Sequence, residues 1–272
     1  MSIFRDKLFE GKVGLITGGG TGIGRGLTEG LAMLGASTAI LSRKADHLGP
    51  TASAVSAHTG RDCLPLVADV RQPDQVEAAI SRVLEEFGRL DFLINAAAGN
   101  FLCPSAELSP NAFGTVLDID AKGTWNVSRA AFHAAFSKSG GSILNISATL
   151  HYGGTPGQLH VAAAKAAVDA LTRTLAVEWG PLGIRVNAIA PGPIGDTEGA
   201  RRLFPGEAGE RLQAMIPSRR IGNIADIVNL AIFLLSDAAS NINGAIVVSD
   251  GGLALCGNFG PGFPSVNFHE KG

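Results

Sequence analysis

From residue 12 to about residue 248, short apolar runs alternate with longer stretches in which apolar residues recur every three to four positions. The runs at 12–18, 37–42, 62–68, 91–96, 141–147, 183–190 and 244–250 are rich in Val, Ile and Leu and are apolar on both faces. That is the pattern of strands covered on both sides in a parallel sheet. The stretches at 22–34, 45–58, 73–88, 110–137, 158–179 and 224–236 carry helical periodicity. No linker interrupts the alternation, so the pattern predicts an α/β chain: a single-domain doubly wound parallel sheet with helices on both faces. Two segments fall outside it. Residues 192–222 mix Gly, Pro, Arg and Glu with weak periodicity and read as a mobile lid over a site. The tail 251–272 carries Phe259, Phe263 and Phe268 among Gly and Pro, a composition that favours docking, for example on a neighbouring subunit.

Composition narrows the function. With 22 Lys+Arg against 24 Asp+Glu the net charge is −2, so no global basic field exists to hold nucleic acid. No apolar run reaches membrane-span length, and no membrane partner is expected. Cys63, Cys103 and Cys256 are far apart and outside any Cys/His ligand spacing, so neither a disulfide scaffold nor a metal site is expected. Charges at Arg5, Asp6, Lys7, Glu10 and Lys12 leave no secretory apolar stretch near the start. The final residues Phe268 to Gly272 match no peroxisomal, retention or prenylation signal, and a cytoplasmic location is expected.

The 36 glycines are an excess, and one group of them carries chemistry. Thr17, Gly18, Gly19, Gly20, Thr21, Gly22, Ile23 and Gly24 follow the first strand and open a helix. Glycines let the backbone turn tightly against a diphosphate, and the helix N-terminus offers free N–H groups and the positive end of a dipole. This predicts a Rossmann-like dinucleotide site, with the spacing TGxxxGxG instead of GxGxxG. After the second strand stand Ser42, Arg43 and Lys44, where a carboxylate would take the ribose 2′-OH of NAD and a basic group pairs with the 2′-phosphate of NADP(H). Asp69 and Val70 end the third strand, where a carboxylate can accept the adenine amino group. Asn95, Ala96, Ala97, Ala98 and Gly99 end the fourth, small enough to lie against a cofactor.

These motifs, with Lys165 on the helix after the fifth strand and Pro191-Gly192 after the sixth, resemble the short-chain dehydrogenase/reductase family over roughly residues 8–252. The resemblance implies hydride transfer with NAD(P)H, and cofactor contacts that include Lys165, Pro191, Gly192, Ile194 and Thr197. That family's usual catalytic pattern is Tyr-x-x-x-Lys. Here Val161 stands four residues before Lys165, Ala148 stands at the usual serine with Ser147 and Thr149 alongside, and Asp120 replaces the usual helix asparagine. Valine cannot deliver a proton to an alkoxide, as carbonyl reduction demands. One reading is a nucleotide-binding protein without turnover; another is a different enoyl-thioester or carbonyl reductase, with Tyr152, the one tyrosine, as acid. The third is conjugate reduction of an unsaturated thioester, in which charge collects on the thioester oxygen and the last proton goes to carbon. Lys165 and Asp120 are the candidate catalytic pair for it.

Gly99-Asn100-Phe101-Leu102, Ser109-Pro110-Asn111-Ala112-Phe113, Asp118-Ile119-Asp120 and Leu175 to Gly180 are similar to the 2,4-dienoyl-CoA reductase branch; Asp120, Lys165 and His160 resemble its peroxisomal type. The similarity implies NADPH-dependent conversion of a 2,4-dienoyl-CoA to a trans-3-enoyl-CoA, auxiliary to β-oxidation of unsaturated fatty acids. It also implies an acyl-CoA substrate met by Phe101, Ser109, Pro110 and Asn111, CoA phosphates met by Arg71 and Arg202, and a homotetramer built partly on the helices 110–137 and 158–179; Tyr152, two residues out of register with a tyrosine of the mitochondrial form, is read as a backup acid or substrate-pocket group.

Overall fold

All seven predicted strands form, each within one or two residues of its expected bounds: β1 Val13–Thr17, β2 Ser37–Ser42, β3 Cys63–Val67, β4 Phe92–Asn95, β5 Gly141–Ile146, β6 Ile184–Pro191 and β7 Ile246–Ser249. The computed structural model describes residues 4–197 and 206–256. The strands make one sheet in the order β3-β2-β1-β4-β5-β6-β7, with every pair parallel.

The helices are α1 Gly22–Met33, α2 Ala45–Thr59, α3 Pro73–Phe87, α4 Pro110–Leu117, α5 Gly123–Ala131, α6 Ser137–Ser139, α7 Leu159–Trp179, α8 Glu207–Met215 and α9 Ile224–Leu235. Two cores flank the sheet. Leu15 and Leu93 join α3, α5 and α7 in one, through Ile80, Val127 and Leu175. Ile16 and Ile94 join α1, α2 and α9 in the other, through Leu27, Val55 and Ile227. Neighbouring strand residues point to opposite faces, which is why the central strands had to be apolar throughout. Each such Leu or Ile contributes about 1.5–3 kcal/mol by burial.

The predicted helix 110–137 is one continuous rod with two π-helical turns in it, Asp118–Lys122 and Phe132–Phe136. A π turn inserts a residue and re-aims the side chains around it. Asp120 sits in the first of these. The predicted lid segment 192–222 contains α8, a helix its weak periodicity did not announce. Residues 198–205 and 257–272, and with them Arg202 and the three tail phenylalanines, lie outside the described residues. No described helix is long and apolar enough to cross a membrane.

Candidate active site

Strand order reverses between β1 and β4, and in open α/β sheets the crevice at such a point, beyond the strands' carboxyl ends, takes the ligand. The glycine turn fills one side of that crevice. Gly18 has φ +68°, and a Cβ on it would stand 2.8 Å from the carbonyl oxygen of Ala96. A Cβ on Gly24 would stand 2.2 Å from the Gly18 carbonyl oxygen, so α1 begins pressed onto the turn. Thr17 Oγ1 accepts the N–H groups of Ala96 and Ala97, both at 3.0 Å, and ties the end of β4 to the same turn. From α2, the Thr51 hydroxyl donates to the Gly20 carbonyl at 3.0 Å. Thr21 caps α1 without a side-chain hydrogen bond, and no acidic residue stands in the first turn. An uncapped helix start with its backbone held this close fits the diphosphate of a dinucleotide. Gly19 lies against Ile40, and Thr197 Cγ2 would be 3.9 Å from a Cβ on Gly22, so the segment after β6 reaches the glycine turn. Ile194 is buried there and bridges to Gly222. Pro191 ends β6, and Gly192 lies against Asp250.

After β2, the Lys44 N–H donates to Ser42 Oγ at 3.3 Å in a tight turn. Among the described residues neither Arg43 nor Lys44 has an ion-pair partner. Asp69 and Arg71 hold each other, with Arg71 Nε 3.0 Å from both carboxylate oxygens and Nη2 2.5 Å from Oδ2. This hydrogen-bonded guanidinium keeps the Asp69 carboxyl below its ordinary range, with Arg43 adding to the effect. A depressed carboxyl contributes stability above its unfolded pKa and loses it as pH falls through the folded one. The Tm deficit of Arg71→Gln at pH 7 is therefore expected to close as pH drops below about 4, the ordinary carboxyl value; parallel thermal melts across that range check it.

Asn95 is buried. Its amide nitrogen donates to Ser128 Oγ at 3.0 Å and to Asn145 Oδ1 at 2.9 Å, so the side chain braces β4 against β5 and α5. Its backbone remains at the cleft, beside Ala96 and Ala97.

Lys165, on α7, is buried. Its Nζ donates to the Ile146 carbonyl at 2.9 Å and lies 3.0 Å from Asp120 Oδ2. The contact with Asp120 does not meet hydrogen-bond geometry, so it is chiefly charge on charge and leaves Oδ2 able to accept another donor. Asp120 is 1% exposed, and its Oδ1 accepts the Gly99 N–H at 2.7 Å. The pair thus joins β5, the end of β4 and the π turn at one point. One turn before Lys165, Val161 is buried in an apolar cluster with Val116 and Ala164. The place of a phenol is taken by aliphatic packing.

The flanking loop is pinned by His160. Its Nε2 is 3.0 Å from the Phe101 carbonyl oxygen, so Nε2 carries the proton, and the two rings stack with centroids 4.1 Å apart. Phe101 and Leu102 are exposed beside it. Ser109 spends its hydroxyl as the N-cap of α4, accepting the Ala112 N–H at 3.2 Å, with Pro110 in the first turn and Asn111 exposed. Tyr152 is 44% exposed, edge-on to His151, and its hydroxyl is pushed up first by burial and then by Asp169. Asp169 was missed in the sequence. It is buried on α7, binding Ser147 at 2.5 Å and His151 at 2.7 Å. The signal was its spacing: an acid four residues after Lys165, on the stripe that also carries Val161, Val168 and Thr172.

A family model described as enoyl-(acyl carrier protein) reductase matches residues 18–254. The peroxisomal 2,4-dienoyl-CoA reductase of Danio rerio is 49% identical over 255 residues, which span 93% of this chain and 85% of that protein. The peroxisomal 2,4-dienoyl-CoA reductase of Saccharomyces cerevisiae is 46% identical over 259 residues, 94% of this chain and 88% of that protein. Among solved structures, the citronellol catabolism dehydrogenase of Pseudomonas aeruginosa PAO1 superposes with a TM-score of 0.83 at 38% identity, covering 93% of this chain and 99% of that one. Levodione reductase gives 0.87 at 34%, covering 91% and 99%. The peroxisomal names of the curated relatives overturn the expected cytoplasmic location and point to the peroxisome.

Proposed function

This chain belongs to the short-chain dehydrogenase/reductase family, whose members use a nicotinamide cofactor, and on that premise we propose that it reduces a 2,4-dienoyl-CoA to a trans-3-enoyl-CoA with NADPH. One observation carries the reading: the Lys165–Asp120 pair is intact at 3.0 Å while the phenol position, Val161, is sealed in apolar packing.

The glycine turn and the start of α1 would hold the cofactor's diphosphate, Arg43 and Lys44 the 2′-phosphate, Asp69 the adenine, and Lys165 the nicotinamide ribose. A bound nicotinamide supplies the hydride. Hydride addition to the far alkene carbon leaves charge on the thioester oxygen, and the last proton goes to the carbon next to the thioester. The Lys165 ammonium, held in place by the Ile146 carbonyl, keeps positive charge beside that oxygen. Asp120 is fixed through Oδ1 by Gly99, and its Oδ2 orients a water or passes a proton. Phe101, Ser109, Pro110, Asn111 and Tyr152 would form the acyl-thioester side, and Arg71 would meet a CoA phosphate, as would Arg202, which lies outside the described residues.

The test is NADPH consumption with 2,4-hexadienoyl-CoA beside acetoacetyl-CoA, with the product double bond located by NMR. Rapid turnover of the first and little of the second is expected. Equal turnover of the ketone defeats the assignment. We also propose a homotetramer resting partly on the outer face of α5 and α7. Trp125 and Phe132 stack there on Trp179, with centroids 6.5 and 4.5 Å away, and Val177 is 77% exposed. Sedimentation should give the mass of four chains, and Val177→Asp should lower it.

A further inference from the structure

The chemistry above leaves one buried acid unused. Asp169 lies one helical turn beyond Lys165, with Oδ1 accepting the Ser147 hydroxyl at 2.5 Å and Oδ2 2.7 Å from His151 Nε2. A carboxylate only accepts, so His151 carries its proton on Nε2 and Ser147 turns its hydroxyl hydrogen to Oδ1. Serine, histidine and aspartate here do not make a nucleophile. In a hydrolytic triad the histidine stands between the other two; here the acid does, and the histidine meets no hydroxyl.

The positions of the two partners say what the acid does. Ser147 follows Ile146, whose carbonyl is the backbone anchor of Lys165. The Ser147 N–H donates to the Ile189 carbonyl at 2.7 Å, so Ile189 and Asp169 together clamp the residue that follows this carbonyl. His151 sits in the loop after β5. That loop is closed on itself by Thr155 Oγ1 donating to the Leu150 carbonyl at 3.0 Å. It is joined to the Phe101 segment by the Cys103 N–H donating to the Gly157 carbonyl at 3.0 Å.

We propose that Asp169 is a two-armed positioning residue. Its Ser147 arm sets the carbonyl that aims the Lys165 ammonium, and its His151 arm sets the loop that borders the acyl-thioester site. The inference rests on the reductase reading above. Breaking the arms separately then gives different kinetics. Ser147→Ala is expected to lower kcat by about tenfold and leave KM for the thioester within about twofold. His151→Leu is expected to raise that KM by about fivefold and leave kcat within about twofold. His151→Gln keeps a donor near the Nε2 position and restores KM. Asp169→Asn, where it folds, shows both changes together. The split is read on whichever unsaturated thioester the wild type reduces, so failure of the dienoyl-CoA assignment is seen in the wild type alone and is a separate result. If Ser147→Ala leaves kcat, or His151→Leu leaves KM, within about twofold while Tm falls, Asp169 is a folding residue and the proposal is overturned.

Discussion

Replacing Asp120 by asparagine is expected to lower kcat with 2,4-hexadienoyl-CoA by about 10²–10³-fold, with the dissociation constant for NADPH changed by no more than about threefold. Asparagine keeps the side-chain volume and an oxygen to accept the Gly99 N–H now bound at 2.7 Å. What it removes is the charge beside Lys165. Two roles for that charge predict opposite signs. Were Asp120 only a counter-ion, its loss would leave the ammonium more positive, the developing thioester charge better stabilised, and turnover unchanged or faster. Were it the group that orients the proton source for carbon, turnover collapses. Alanine is the poorer probe, because it also leaves the Gly99 N–H without its acceptor and a gap where the carboxylate stood. Stopped-flow NADPH oxidation with a fluorescence binding titration separates chemistry from binding, and unchanged turnover in Asp120→Asn returns the residue to a structural role.

The parts of this molecule that were legible beforehand share one property: the physics that makes them is local. Uninterrupted apolar runs mark strands covered on both faces, and α1 starts so close to the glycine turn that a Cβ on Gly24 would stand 2.2 Å from the Gly18 carbonyl oxygen. The parts that were not legible are decided by geometry that only the folded chain has. Nothing in the sequence pairs Asp69 with Arg71, and only the folded chain shows the guanidinium closed on the carboxylate. Register places Asn95 opposite Asn145, and its amide nitrogen is taken by Asn145 and Ser128, a pairing that spacing in the sequence does not announce. The π turn around Asp120 has no sequence signal, since it differs from an α turn by one inserted residue. The helix α8 is short and exposed along most of its length, so tertiary context and not an apolar stripe decides it. Compartment is a different matter again. It is read by receptors from address signals, and composition or fold carries no account of it.

Neutralising Arg43 and Lys44 together is expected to lower kcat/KM for NADPH by about 10²-fold and to leave that for NADH within about threefold. The argument is one of available charge. Among the described residues these two side chains have no ion-pair partner, whereas Arg71, four residues beyond the end of β3, is already closed on Asp69. Arg43 is near enough to help depress the Asp69 carboxyl, which places its charge beside the residue proposed to meet the adenine. A 2′-phosphate there brings nearly two negative charges and meets a guanidinium that can bond it through two N–H groups. A 2′-hydroxyl brings none, so NADH should not sense the change. Salt gives an independent reading. The NADPH contact is exposed and screened within about 8 Å at physiological ionic strength, so KM for NADPH in the wild type should rise with added salt while the double variant's stays flat. An equal loss with both cofactors would mean that the two residues shape the turn after β2 instead of reading the phosphate. A loss confined to NADPH with no salt dependence would mean that the phosphate is held by hydrogen bonds from buried groups instead of by these two charges.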